Sequence, residues 1–202
     1  HGYTGLAVTS TTTTAIGNTY NISPSTNTNG VSGSNGILVT TGGTLNNNTD
    51  GLNASSRNTV SVSGLNNDGV LVKGGTFNDH ETQYTVSGTG DTYTGNNGVS
   101  VTGGLTKLYY DKFTINGNNN NGIASTVVKS TGGTPTGITI YGSQIDINGN
   151  NNNGIIVAGG GNVTLDHEGG YNPIATHSED DSFRIWRHNT INVNGSNNNG
   201  LY

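Results

Sequence analysis

Two short stretches carry the residue types that do chemistry. Asp79-His80-Glu81 with Tyr84, and Asp166-His167-Glu168 with Tyr171, repeat one pattern at what reads as one repeat register. The second copy opens an insertion running to His188, which adds His177, Glu179, Asp180, Asp181, Arg184, Trp186 and Arg187. Three of the five histidines, five of the twelve acidic residues and the only tryptophan fall inside it, so chemistry concentrates there. Carboxylates beside imidazoles could ligate a divalent cation. Paired carboxylates could act as acid and base on a glycan. Aromatic rings could stack on sugars. The plainest reading is a solvated loop whose Arg–acid pairs add little energy. On that reading, the doubled Asp-His-Glu simply follows from repeat duplication.

The elements that must position these residues come from a repeat. Ile145-Asp-Ile-Asn-Gly-Asn-Asn-Asn-Asn-Gly-Ile-Ile-Val157 is nearly rewritten at Phe113–Ile123 and Ile191–Leu201, with looser copies at Val60–Val70 and Val31–Ile37. An anchor glycine precedes each apolar stretch, at Gly5, Gly36, Gly69, Gly98, Gly122, Gly154 and Gly200. Pairs at period two follow most anchors: Leu6 and Val8, Ile37 and Val39, Val70 and Val72, Val99 and Val101, Ile155 and Val157. Gly-Gly corners come next, at Gly42, Gly74, Gly103 and Gly159 with their neighbours, and a second strand is expected to begin at Leu45, Phe77, Leu105 and Val163. A third strand closes each unit through Val60 and Val62, Tyr84 and Val86, Phe113 and Ile115, Ile145 and Ile147, Ile191 and Val193.

This pattern predicts an all-β chain without significant helix. It is a single parallel β-helix over 1–202, about seven coils long, with three short strands per coil. An antiparallel sandwich explains short strands but not the near-verbatim recurrence of the asparagine turn. Aligned asparagines could bond to the amides above and below as a ladder. Between Gly154 and Gly200 the repeat stretches to 46 residues against about 30 elsewhere, so 166–188 is expected to project as a loop. Bare strand edges invite end-to-end or edge self-association. Both termini read as cuts through a longer array.

Composition excludes several classes. Charged residues make up 9% with a formal net charge of −5, leaving no basic stripe for nucleic acid. No apolar run is long enough to span a bilayer as a helix, so no membrane insertion by this segment is expected. Cysteine is absent, which removes disulfide frameworks and thiolate metal sites. The aspartate-bearing nonapeptide of calcium-binding β-rolls is missing too, because these turns carry asparagine. Thr11–Thr14 is a run rather than the rank that an ice-binding solenoid would show. Scattered Lys73, Lys107, Lys112 and Lys129 lack the neighbouring paired acids of a pectate-lyase-like site.

The Asn-Gly-Ile strands, the Gly-Gly-Thr corners at Gly42-Gly43-Thr44 and Gly74-Gly75-Thr76, and the asparagine turn resemble pertactin-like passenger domains of bacterial autotransporters. The resemblance covers nearly the whole chain and is compositional. It implies a right-handed β-helix, secreted or displayed on the outer-membrane exterior. It also implies an adhesin or scaffold binding a host or bacterial surface glycan or protein. No cofactor, metal or catalytic residue is assigned, and the insertion is expected to bind rather than catalyse. The alternative is a polysaccharide-binding or polysaccharide-cleaving β-helix of the pectate-lyase or phage-tailspike type, which shares the architecture.

Overall fold

The structure, a computed structural model, describes residues 3–23, 33–48, 56–88, 95–126, 136–159, 161–166 and 189–202. Within these the chain is all-β with no α-helix, and every strand pairing is parallel. The chain visits three ladders in turn. The first ladder holds β1 (Thr4–Val8), β4 (Asn35–Thr40), the start of β7 (Asp68–His80), the start of β9 (Asn97–Tyr109), β11 (Asn121–Ser125), β14 (Asn153–Val157) and β17 (Asn199–Leu201). The second holds β2 (Thr12–Ala15), β5 (Thr44–Asn47), the ends of β7 and β9, β12 (Gly137–Tyr141) and β15 (Val163–Asp166). The third holds β3 (Thr19–Ile22), β6 (Thr59–Val62), β8 (Gln83–Val86), β10 (Lys112–Ile115), β13 (Gln144–Ile147) and β16 (Thr190–Val193).

Register places like side chains over like. Leu6, Ile37, Val70, Val99, Ile123, Ile155 and Leu201 form one rank, and Ile22, Val62, Val86, Ile115, Ile147 and Val193 another. Ile37, Val70, Val99, Ile123, Ile147 and Ile155 are fully buried, so strand alternation drives one face of the strands inside the stack into a shared apolar core, while Leu165, Val193 and Leu201 in the last row stay exposed. Tyr84 and Phe113 stack within that core at 4.4 Å. Two hydroxyls interrupt the ranks. Ser125 sits between Val101 and Val157, and Thr106 between Phe77 and Ile138; both oxygens are buried without a partner.

The anchor glycines are required by close approach rather than by backbone angle. A Cβ on Gly154 would stand 2.7 Å from the Gly200 carbonyl oxygen and 2.9 Å from Ile147 Cδ1. The first ladder therefore leans directly on the third at this point. The Gly-Gly corner is different: Gly104 has φ +83°, and a Cβ there would meet the Gly75 oxygen at 2.1 Å.

That corner also corrects the expected second strand. β7 and β9 keep one offset on both sides of the corner, with a local shift only at Lys73, so Val72 faces Val101, Thr76 faces Leu105 and Phe77 faces Thr106. Leu105 is half-buried on the outer side, and Thr106 takes the inward place. A threonine rank exists as well, Thr12 over Thr44 over Thr76, and ends at Leu105.

Candidate functional site

The corner between the second and third ladders holds most of the buried charge among the described residues. At three successive rows the chain turns in two residues, Glu81-Thr82, Tyr110-Asp111 and Gly142-Ser143. The first residue of each turn is left-handed, with φ of 55° at Glu81, 57° at Tyr110 and 53° at Gly142. The second residue points inward, and from Asp111 onward it accepts a backbone N–H from the previous row. Thr82 N–H donates to Asp111 Oδ1 at 2.8 Å, Asp111 N–H to Ser143 Oγ at 3.1 Å, and Ser143 N–H to Asn189 Oδ1 at 3.0 Å. Asn18 N–H likewise donates to Asn58 Oδ1 at 2.6 Å.

Asp79 lies beside this ladder, fully buried on the inward face of β7. Its Oδ1 accepts from Asn47 Nδ2 at 2.8 Å and from Thr82 Oγ1 at 2.6 Å, and its Oδ2 pairs with the Tyr84 hydroxyl. Burial pushes Asp79 up to about 6, against the hydrogen bonds from Thr82, Tyr84 and Asn47 that pull it down. Asp111 is raised well above the usual carboxylate range, by burial first and then by the charge of Asp79. Burial, followed by the two carboxylates, raises the Tyr84 phenol too. Glu81, only 1% exposed, is held by Arg57 Nε at 2.9 Å.

The outer side of the same corner is aromatic. His80, Tyr109 and Tyr141 stack at 4.4 Å and 4.6 Å, nearly parallel, and Asp166 is next in register. Rings stacked this closely cover one another's faces, so the inner members of the stack offer a sugar only their edges.

The two Asp-His-Glu copies do not share a register. Asp79 is opposite Leu108, Leu108 opposite Ile140, and Ile140 opposite Leu165. Asp166 is therefore the counterpart of His80, not of Asp79. A slip of one residue moves a side chain to the other face of a strand. Asp79 is buried on the inward face of β7, whereas Asp166 is exposed at the end of β15, as is Leu165, which takes the Asp79 place there. Among the described residues no group of three or more metal-ligating side chains converges. Of the other expected site residues, His167, Glu168, Tyr171, His177, Glu179, Asp180, Asp181, Arg184, Trp186, Arg187 and His188 lie outside the described residues.

The structure does fix where that segment leaves and returns. Residues 167–189 join β15 to β16 at the corner that three earlier rows cross in two residues. Asn189 closes its base: Nδ2 donates to the Asp166 and Ile140 carbonyl oxygens, each at 3.0 Å, while Oδ1 keeps the ladder bond to Ser143.

Asp111, Ser143, Asn58 and Asn189 escaped the sequence reading. Their signal is a polar residue two places before the first inward residue of the third strand: Asn58 before Val60, Thr82 before Tyr84, Asp111 before Phe113, Ser143 before Ile145, Asn189 before Ile191. A cleft of about 410 Å³ beside β1, β3 and β4 has Tyr3, Tyr20, Ser34 and Asn35 in its wall, with no carboxylate or imidazole among its described lining. Compared with family models, with curated proteins and with solved structures, the chain matches none.

Proposed function

We propose that the chain is a right-handed parallel β-helix of about seven coils that presents the 166–188 segment as a binding element. Parallel crossovers of this kind are overwhelmingly right-handed. The compositional resemblance to autotransporter passengers supports a secreted or surface-displayed adhesin whose ligand is a glycan or protein on a host or bacterial surface. The observation carrying the reading is the closed base at Asn189. The chain inserts a long segment at a corner that needs only two residues, yet the ladder bond to Ser143 is kept. A segment that the stack does not need, rich in histidine, acid and aromatic residues, suits recognition. Asp79 and Asp111 do not suit catalysis on a polymer, because both are sealed from solvent.

The test replaces residues 167–188 with a single glycine, reproducing the Gly142-Ser143 turn as Gly-Asn189. The β-sheet circular dichroism and the unfolding midpoint should be retained, while attachment to cells and glycan arrays is lost. Binding that survives the excision overturns the reading. Cleavage of a polysaccharide panel by the intact chain would replace it with the polysaccharide-active alternative.

A further inference from the structure

Three aspartates occupy places that neutral side chains fill in other rows. Asp111 stands in the rank of Asn58, Thr82, Ser143 and Asn189, where Asn58, Asp111, Ser143 and Asn189 each accept a backbone N–H and the Thr82 hydroxyl accepts from the Asn47 and Asn48 side-chain amides. Asp79 stands between Asn47 and Leu108. Asp68 stands between Asn35 and Asn97 and accepts from Asn97 Nδ2 at 2.8 Å. All three belong to β7 and the turn after β9. Asp111 Oδ2 is buried without any partner, whereas its Oδ1 is bonded. A buried carboxylate with one bare oxygen is costly, and the same group protonated is a close relative of the asparagine used elsewhere.

We propose that Asp79 and Asp111 form a proton latch that closes the corner between β7 and β10 in acid and loosens it as pH rises. The groups facing the pair limit the other ways of removing its charge. Tyr84 from β8 and Tyr20 from β3 are phenols that contribute no positive charge, and burial holds both above their ordinary value, with Asp79 adding to the shift. Glu81 adds like charge near Asp111, and the nearby cation Arg57 is engaged with Glu81. His80 lies on the outer face against Tyr109. β5 and β9 contribute Asn47 and Leu108, both uncharged. A proton on the pair is the remaining neutraliser, and Asp111 Oδ2 is the oxygen with no partner to displace.

The direction of the effect follows from the raised folded-state affinity for protons. The contribution to stability is complete below the ordinary carboxylate value of about 4. It is lost as pH rises through about 6 for Asp79, and through the raised value of Asp111, which lies well above the ordinary carboxylate range. Asp68, also raised to about 6 by burial despite Asn97 and Lys73, adds a smaller effect of the same sign outside the latch.

The experiment compares unfolding of the wild type, Asp79→Asn and Asp111→Asn across pH 4 to 8. The unfolding constant of the wild type should rise over this range relative to the variants, by about tenfold per pH unit for each extra proton released. Part of the wild-type slope remains in both variants because Asp68 is unchanged. Identical slopes in wild type and both variants overturn the proposal. Should Asp111→Asn fail to fold, Asp111→Ser supplies the hydroxyl acceptor that the next row uses. An infrared carbonyl band of a protonated carboxyl at pH 6 should be present in the wild type and reduced in Asp111→Ser. Its absence from the wild type overturns the proposal independently.

Discussion

Where the chain passes from the third ladder to the first, the described rows use Asn67, Asn96, Asn120, Asn152 and Asn198 as acceptors of a backbone N–H, with Ser34 in one row. Where it passes from the second to the third, the same work falls to Asn58, Asp111, Ser143 and Asn189. At the first of these corners Asn67 N–H donates to Asn96 Oδ1, Asn96 to Asn120, Asn120 to Asn152 and Asn152 to Asn198, at 2.7–3.3 Å. The amide nitrogens reach two carbonyls each: Asn120 Nδ2 bonds to Gly88 O and Asn116 O, and Asn152 Nδ2 to Gly117 O and Asn148 O. A second row of Asn97, Asn121, Asn153 and Asn199 bonds amide to amide along the rim. Turn after turn, one neutral group both accepts and donates. At the other corner the requirement reduces to an inward acceptor, and hydroxyl, amide or carboxyl all meet it. What a parallel stack demands of its turns is thus a hydrogen-bonding role, which a residue type may or may not repeat.

The largest expected effect breaks the asparagine corner. Asn152→Ala strips Asn120 N–H of its acceptor and the Gly117 and Asn148 carbonyls of a donor, in a fully buried place. At about 1–3 kcal/mol for each buried group left unpaired, the loss should be about 4 kcal/mol in denaturant unfolding. Ser143→Ala at the mixed corner orphans only Asp111 N–H and should cost about 1–2 kcal/mol. Equal losses would mean that the two corners bear the same load and that the comparison fails.

This contrast also explains what could be read from the sequence. Asn120 and Asn152 were legible because the same letter returns at the same place, between Gly117 or Gly149 and the anchor glycine. The left-handed Asn119, Asn151 and Asn197 were written there too, since asparagine tolerates that region. Inward ranks such as Ile123–Ile155 followed from period-two alternation. The mixed corner was hidden because amide, carboxyl and hydroxyl side chains serve one function there. Two expectations differ from the structure by one residue. The second strand expected to begin at Leu105 has Thr106 in the inward place beside Phe77, and Asp166 falls in register with His80 rather than with Asp79. A motif match in sequence does not survive a one-residue slip in a strand, because the slip decides which face the side chain takes.

The most direct test compares the two corners in one molecule by native-state hydrogen exchange at pH 5 and pH 8, corrected for intrinsic exchange rates. The amides of Asn120 and Asn152, bonded to uncharged asparagine oxygens, should keep similar protection at both values. The amides of Thr82 and Asp111, bonded to or carried by a carboxyl that binds its proton tightly, should lose protection at pH 8. Equal behaviour of all four amides would contradict the account.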